Sequence, residues 1–136
     1  MNEITFELDE TKDRPVIKVM SLDSLIDTGA EISVCNLSPA VFELITDYKE
    51  KSEYTIKGFG GECSGTKYIL RRFSVGELTF QDVPFFIPDE PMDDKYKFIL
   101  AAPLFLQVYY AFDMPNHKMI IRYEGDDTDG EPSDRE

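Results

Sequence analysis

A single acidic residue directly after an apolar strand constrains this chain more than any other feature of its sequence. Leu25 and Ile26 lead into Asp27-Thr28-Gly29, so a carboxylate stands on a tight turn where the apolar run ends. Aspartate is depleted in strands and its charge is costly to bury, so a carboxylate in this position is usually kept for its chemistry. The same tripeptide also suits an ordinary surface turn, and the motif alone does not decide between these interpretations.

The composition indicates one folded domain followed by an acidic extension. The chain has 136 residues, 42% of them hydrophobic, with ten Phe and seven Tyr, which is enough for a substantial core. We assign residues 1–123 to the domain. Residues 124–136 carry seven acidic side chains, one basic side chain and no apolar one, and we expect a disordered, solvated tail. A calcium loop is disfavoured there because Gly125 would occupy the first ligand position.

Charge, termini and cysteine spacing exclude several function classes. A net charge of −13 repels phosphate backbones, so no nucleic-acid partner is expected. No apolar run reaches the ~18 residues that cross a bilayer, and the N-terminus lacks a signal-peptide pattern, so we expect a cytoplasmic protein without membrane association. Cys35, Cys63 and His117 lack the spacing of a zinc site. We expect free thiols and no metal or organic cofactor.

Many short apolar or alternating runs predict a mainly β domain, either barrel-like or a sandwich. Gly76-Glu77 predicts a two-residue hairpin turn, residues 114–117 a closing hairpin, and residues 21–23 a short turn. The predicted strands are residues 4–8, 16–20, 24–26, 31–35, 54–57, 62–70, 71–75, 78–80, 83–87, 98–100, 111–113 and 118–121.

Two short helices are predicted among these strands. Ser38 is a good N-cap and Pro39 fits the first turn. The apolar side chains that then share one helix face are Val41, Leu44 and Ile45. Pro103 is well placed to begin the second helix, which we expect to run through about residue 110.

A glycine-rich hairpin lies in the middle of the chain. Gly58-Phe59-Gly60-Gly61 places three glycines around one bulky apolar residue, which suits a mobile hairpin tip whose backbone approaches another molecule closely. A merely flexible loop remains the alternative.

In this order the segments resemble a retropepsin, a single-domain aspartic protease of retroviral type. The strand at 14–18 precedes the Asp-Thr-Gly turn, the glycine-rich hairpin is similar to the family's flap, and Ile99-Leu100 leads into a small-residue turn. The similarity covers residues 4–123. It implies an all-β fold, the closed barrel of acid proteases with one or two short helices and one lobe per chain.

The resemblance also implies a homodimeric aspartic endopeptidase. Amide hydrolysis in this family needs two carboxylates that share a proton, and this chain has one Asp-Thr-Gly, so each subunit would supply one. The implied catalytic residues are Asp27, Thr28 and Gly29. The implied substrate-binding residues are Ala30, Glu31, Gly58, Phe59, Gly60 and Gly61. The partner would be an extended peptide or protein substrate, covered by Phe59.

One departure from the family leaves alternatives open. The family usually has Gly followed by polar residues where this chain has Ala101-Ala102-Pro103, which could shift the Asp27 loop and removes a partner for Glu31. One alternative is therefore a peptide-binding or dimerisation module with weak or no catalysis. Another is a small β-barrel interaction protein whose Asp-Thr-Gly is accidental. For dimerisation, strands 4–7 and 118–123 either interleave between subunits or pair only within one.

Overall fold

Ten strands and one α-helix make up the described part of the chain, in this computed structural model of residues 2–58, 61–90, 96–106 and 108–124. The strands are β1 (Asn2–Glu7), β2 (Val16–Val19), β3 (Leu22–Asp27), β4 (Ser33–Cys35), β5 (Tyr48–Gly58), β6 (Gly61–Val75), β7 (Leu78–Pro88), β8 (Phe98–Ala101), β9 (Tyr109–Asp113) and β10 (Lys118–Tyr123), and the helix is α1 (Pro39–Ile45).

The strands form two sheets, which confirms the all-β prediction. The larger sheet has the order β2-β3-β8-β4-β7-β6-β5, and the smaller has the order β1-β10-β9. Strand β8 runs parallel to β3 and antiparallel to β4, so it lies between the strand that ends at Asp27 and the next strand in sequence. In the described residues β2 and β5 end the larger sheet without pairing with each other, so the predicted closed barrel is better described as two open sheets.

The core is built around aromatic rings from several elements. The Phe85 ring centroid on β7 lies 4.8 Å from that of Phe73 on β6, 5.9 Å from Phe42 on α1 and 6.0 Å from Phe98 on β8. All four side chains are buried, and such ring pairs add to the free energy gained from burial alone. This cluster fixes the helix and the centre of the larger sheet relative to one another.

The helix begins as predicted but buries a different side. The Ser38 hydroxyl accepts a hydrogen bond from the Val41 N–H at 3.3 Å, as expected of an N-cap. The predicted apolar face is solvent-exposed, and Leu44 on it is 85% accessible. Phe42 is buried instead, because its ring enters the aromatic cluster beside Tyr68 and Phe85.

The prediction of a second helix, beginning at Pro103, is wrong. A single 3-10 turn, Ala102–Phe105, follows β8, and the chain is already extended in β9 from Tyr109. Leu104 and Phe105 are buried in the core and hold this turn in place. The aromatic residues that follow favour a strand, and β9 pairs with β10.

The hairpin predictions fare better. Val75 and Leu78 are register partners across Gly76-Glu77, and Gly76 has a φ of 60°. The closing hairpin between β9 and β10 is also present. The turn predicted at 21–23 lies at Met20 and Ser21, both with positive φ, so β3 already begins at Leu22.

The outer strands β1 and β10 pair with each other within the chain. Strand β1 runs antiparallel to β10 along its whole length. Two ion pairs, Glu3 with Arg122 and Glu7 with Lys118, join the same strands. In the described residues no helix is long and apolar enough to cross a membrane.

A charged contact ties α1 to the larger sheet. The Glu43 carboxylate accepts hydrogen bonds from the Tyr68 hydroxyl at 2.6 Å and from the Lys51 ammonium at 3.0 Å. The bond from Tyr68, and then that from Lys51, lowers the pKa of Glu43 below its ordinary 4.5 because both favour the ionised form.

We expect Glu43→Gln to lower the melting temperature at neutral pH. A carboxyl whose pKa is lowered by folding stabilises the protein above its unfolded pKa, and this contribution is lost as the pH falls through the folded value. The difference from wild type should therefore shrink to nothing in strongly acidic buffer, measured by thermal denaturation across pH. The control is Glu53→Gln, which removes an exposed charge from β5, the strand that carries Lys51. An equal effect of both variants at every pH would contradict this role.

Candidate active site

Asp27 stands at the open end of a buried strand. Ser24, Leu25 and Ile26 are buried in β3, whereas Asp27 is partly exposed where the chain leaves the sheet. The Gly29 N–H donates to Asp27 Oδ1 at 3.1 Å, and the Ala30 N–H donates to the Asp27 carbonyl at 3.2 Å. The turn therefore orients the carboxylate by its own backbone, as Asx turns do.

Gly29 is not required by the backbone conformation of this turn. Its φ lies outside the left-handed region, and a Cβ built on it would meet Asp27 Oδ1 at 3.5 Å, an ordinary contact. The small size of Gly29 therefore leaves space above the turn and does not relieve strain within it.

The turn after β8 lies directly beside Asp27. Ala101 is the register partner of Asp27 in the parallel β3–β8 pair. Its backbone is extended, with φ −92° and ψ 163°, and its side chain is fully buried. An alanine thus fits where the family usually has glycine, because the position demands no conformation reserved for glycine.

A cleft runs from the Asp27 turn to β5. It has a volume of about 480 Å³. One wall is the segment after Asp27 and the other is the outer part of β5; the lining residues are Gly29, Ala30, Glu31, Ile32, Val34, Tyr54, Thr55, Ile56 and Lys57. Two of the residues predicted to bind substrate, Ala30 and Glu31, therefore line one cavity with the stem of the glycine-rich hairpin. The walls combine apolar side chains with the polar Glu31, Thr55 and Lys57, a mixture typical of ligand-binding clefts.

The predicted glycine-rich hairpin is present as the paired strands β5 and β6. Strands β5 and β6 pair antiparallel up to the register pair Gly58 and Gly61, and Gly61 has a φ of 100°. Phe59 and Gly60 lie outside the described residues. Lower in the stem, Tyr54 packs edge-on against Phe86, with ring centroids 5.9 Å apart.

The positions of the two cysteines and the single histidine do not favour a Cys-His mechanism. Burial raises the pKa of the Cys35 thiol to about 12, so a thiolate is suppressed at neutral pH. His117 lies in the β9–β10 hairpin of the smaller sheet, whereas Cys35 lies on β4 and Cys63 on β6 of the larger sheet. Across the described ranges, no three His, Cys, Asp or Glu side chains form a group able to hold a metal ion.

Our sequence analysis missed Ser33. This residue is 3% exposed, and its hydroxyl accepts a hydrogen bond from the Ala101 N–H at 3.0 Å. Strand alternation could have indicated its inward position, because it shares a strand face with the buried Cys35. The partner more than sixty residues away could not be deduced from local sequence.

Comparison with known proteins places the geometry in context. The family model described as aspartyl protease matches residues 18–103, which is more than half of the chain. A crystal structure of a retropepsin-like aspartic protease from Rickettsia conorii shares the fold with a TM-score of 0.54 and 16% sequence identity, covering 88% of this chain and 98% of that one. No curated protein matches the sequence. The predicted retropepsin-like fold is confirmed.

We expect Gly29→Ala to change the free energy of unfolding by less than about 0.5 kcal/mol, since neither its φ nor its surroundings exclude a methyl group. The matched comparison is Gly65→Ala in β6, where a Cβ would lie 2.2 Å from the Ile87 carbonyl oxygen and 2.8 Å from Phe86 Cζ. That overpacking should cost about 1–3 kcal/mol or more. Denaturant unfolding of both variants measures the contrast, and a large loss from Gly29→Ala would contradict the geometry of the turn.

Proposed function

Since the chain belongs to the aspartyl protease family, we propose that it hydrolyses peptide bonds as a homodimer in which each subunit contributes Asp27. The observation that carries this proposal is the position of Asp27, held by its own turn at the end of β3, where Gly29 and Ala30 of the same turn line a cleft of about 480 Å³. The sequence has one Asp-Thr-Gly, so a second carboxylate must come from a second copy.

In the proposed reaction the two Asp27 carboxyls share one proton, because like charges in close contact do not both ionise. The ionised Asp27 takes a proton from water as the water oxygen bonds to the peptide carbonyl carbon. The protonated Asp27 donates a hydrogen bond to the carbonyl oxygen, where negative charge develops. A proton then passes to the amide nitrogen, the C–N bond breaks, and a carboxyl and an amine are released.

Residues around Asp27 have supporting roles in this proposal. Thr28 is exposed and its hydroxyl would bond across the two-fold axis to stiffen the paired turns. Gly29 and Ala30 leave room for the substrate backbone above the carboxylates. Glu31 is exposed at the cleft and would accept a hydrogen bond from a substrate N–H.

The hairpin of β5 and β6 would act as the flap. Its stem forms one wall of the cleft, and Gly58 and Gly61 mark its end. We propose that Phe59 covers a peptide bound in extended form and excludes water from the reacting bond. We expect a preference for apolar substrate residues, because three aliphatic side chains line the cleft: Ile32, Val34 and Ile56.

Strand β9 is a better candidate for the dimer contact than the strands at 4–7 and 118–123. In the described residues it pairs only with β10, so its other edge has no partner strand. Tyr109 is 65% exposed and Tyr110 38%, and the strand is uncharged until Asp113. The opposite edge, β1, carries Glu3 and Glu7, and charge discourages strand pairing.

The position of β9 in the chain also fits the proposal. It begins eight residues after Ala101, the register partner of Asp27. Two copies of β9 paired antiparallel about a two-fold axis would join the smaller sheets into one. This contact would bring the two chains together at strands that continue from the turn beside Asp27.

We expect Asp27→Asn to abolish cleavage, with a loss of about 10³-fold or more, because an amide cannot act as the proton-sharing base. The assay is hydrolysis of a peptide library between acidic and neutral pH. Asp23→Asn is the matched control, since Asp23 lies on the same strand and pairs with Lys18 on the sheet surface. Cleavage that survives in Asp27→Asn would exclude this mechanism.

We expect Ala111→Lys in β9 to convert the dimer into monomers and remove activity, because two lysines would oppose each other near the two-fold axis. Sedimentation velocity and peptide cleavage measure the two effects. Thr5→Lys places the same charge on the edge strand β1 and should leave both unchanged. A dimer that persists in Ala111→Lys would contradict the β9 contact.

The second candidate function is a peptide-binding or dimerisation module with weak or no turnover. The turn at Ala101-Ala102-Pro103 favours it, because this turn lacks the polar side chains that usually support the active-site loop. In that case library peptides would bind wild type and Asp27→Asn equally and remain uncut by both.

A further inference from the structure

We propose that Ser33 is a positioning residue for Asp27, an inference that rests on the proposed function: its hydroxyl fixes the end of β8 against which the Asp27 turn is set. Ser33 is buried and is not proposed to touch the substrate. It acts through the backbone of Ala101.

The hydrogen bond is placed where the sheet pairing stops. Strands β4 and β8 are paired at Val34 with Ile99 and at Cys35 with Phe98. Beyond this point the Ala101 N–H meets the Ser33 side chain, at 3.0 Å from Oγ. The Ser33 hydroxyl therefore takes the place of a backbone carbonyl as the acceptor, and it extends the hydrogen bonding between β4 and β8 as far as Ala101.

Ala101 is thereby held from two sides. On one side it is the register partner of Asp27 in the parallel β3–β8 pair. On the other side Ser33 holds its N–H, and Ser33 and Ala101 are both buried. Without the hydroxyl, the N–H would be left in the protein interior without this acceptor, and β8 would have to shift to find another. Such a shift moves the neighbour of Asp27.

The sequence of the turn makes this bond more important. Ala101, Ala102 and Pro103 carry no polar side chain, so the turn offers no side-chain hydrogen bond of its own to the Asp27 loop. Ser33 supplies a polar tether from the adjacent strand. Two carboxylates that share a proton tolerate little displacement, since a misplacement of about 1 Å can cost 10²-fold in rate.

The test compares Ser33→Ala with Ser24→Ala, which removes a hydroxyl from an equally buried serine. Ser24 lies on β3, but its hydroxyl donates to the Leu22 carbonyl at 3.0 Å and not to the turn. Steady-state kinetics should show kcat reduced by about 10- to 100-fold in Ser33→Ala with KM nearly unchanged. Ser33→Thr keeps the hydroxyl and should recover most of the lost kcat. Equal kcat in the two alanine variants, or a change in KM alone, would overturn the proposal.

A second measurement does not depend on turnover. Hydrogen exchange by NMR should show the Ala101 amide exchanging at least about tenfold faster in Ser33→Ala than in Ser24→Ala. The NMR chemical shift of the Asp27 carboxyl carbon should change in Ser33→Ala and stay at its wild-type value in Ser24→Ala. If wild type cuts no peptide, the proposed function fails while these spectra still decide the role of Ser33. An unchanged Asp27 carboxyl chemical shift, or an Ala101 amide that exchanges no faster in Ser33→Ala, would overturn it.

Discussion

The parallel pairing of β3 with β8 is the contact on which the rest of the structure depends. It joins residues 24–27 to residues 98–101 in register, with Asp27 opposite Ala101. Strand β4 then pairs with the other side of β8 and with β7, so the whole larger sheet is assembled around this pair. The aromatic cluster packs on the same strands through Phe98 and Phe85. The cleft exists because β4 and β5 lie at fixed positions in this sheet.

Much of this arrangement could be predicted from the sequence, because strand alternation, turn glycines and a helix cap are local signals. Gly76-Glu77 and Ser38 are examples: each acts through its own neighbours in the chain. The Asp27 turn belongs to the same class, since the backbone of Gly29 and Ala30 closes it. The location of the candidate site was therefore predictable from a few consecutive residues.

The sequence-based predictions that failed concern features that depend on contacts between segments far apart in the chain. The exposed face of α1 could not be recognised because Phe42 is drawn inward by Tyr68 and Phe85, which come from other strands. The helix expected after Pro103 is replaced by β9, whose partner β10 comes later in the chain. Ser33 was overlooked for the same reason, because its importance comes from Ala101 on the far side of the sequence. In the first two cases a tertiary contact overrode the local preference.

The long separation between β3 and β8 also has a consequence for synthesis. Contacts between segments so far apart in sequence close a large loop, and folds dominated by such contacts form slowly. A nascent chain that has emerged from the ribosome only through β7 has no β8 to place between β3 and β4, so its Asp27 lacks one neighbouring strand. The candidate site around Asp27 is thus assembled only after translation has passed Ala101. Shorter nascent chains carry the Asp-Thr-Gly motif without the strand that lies beside it.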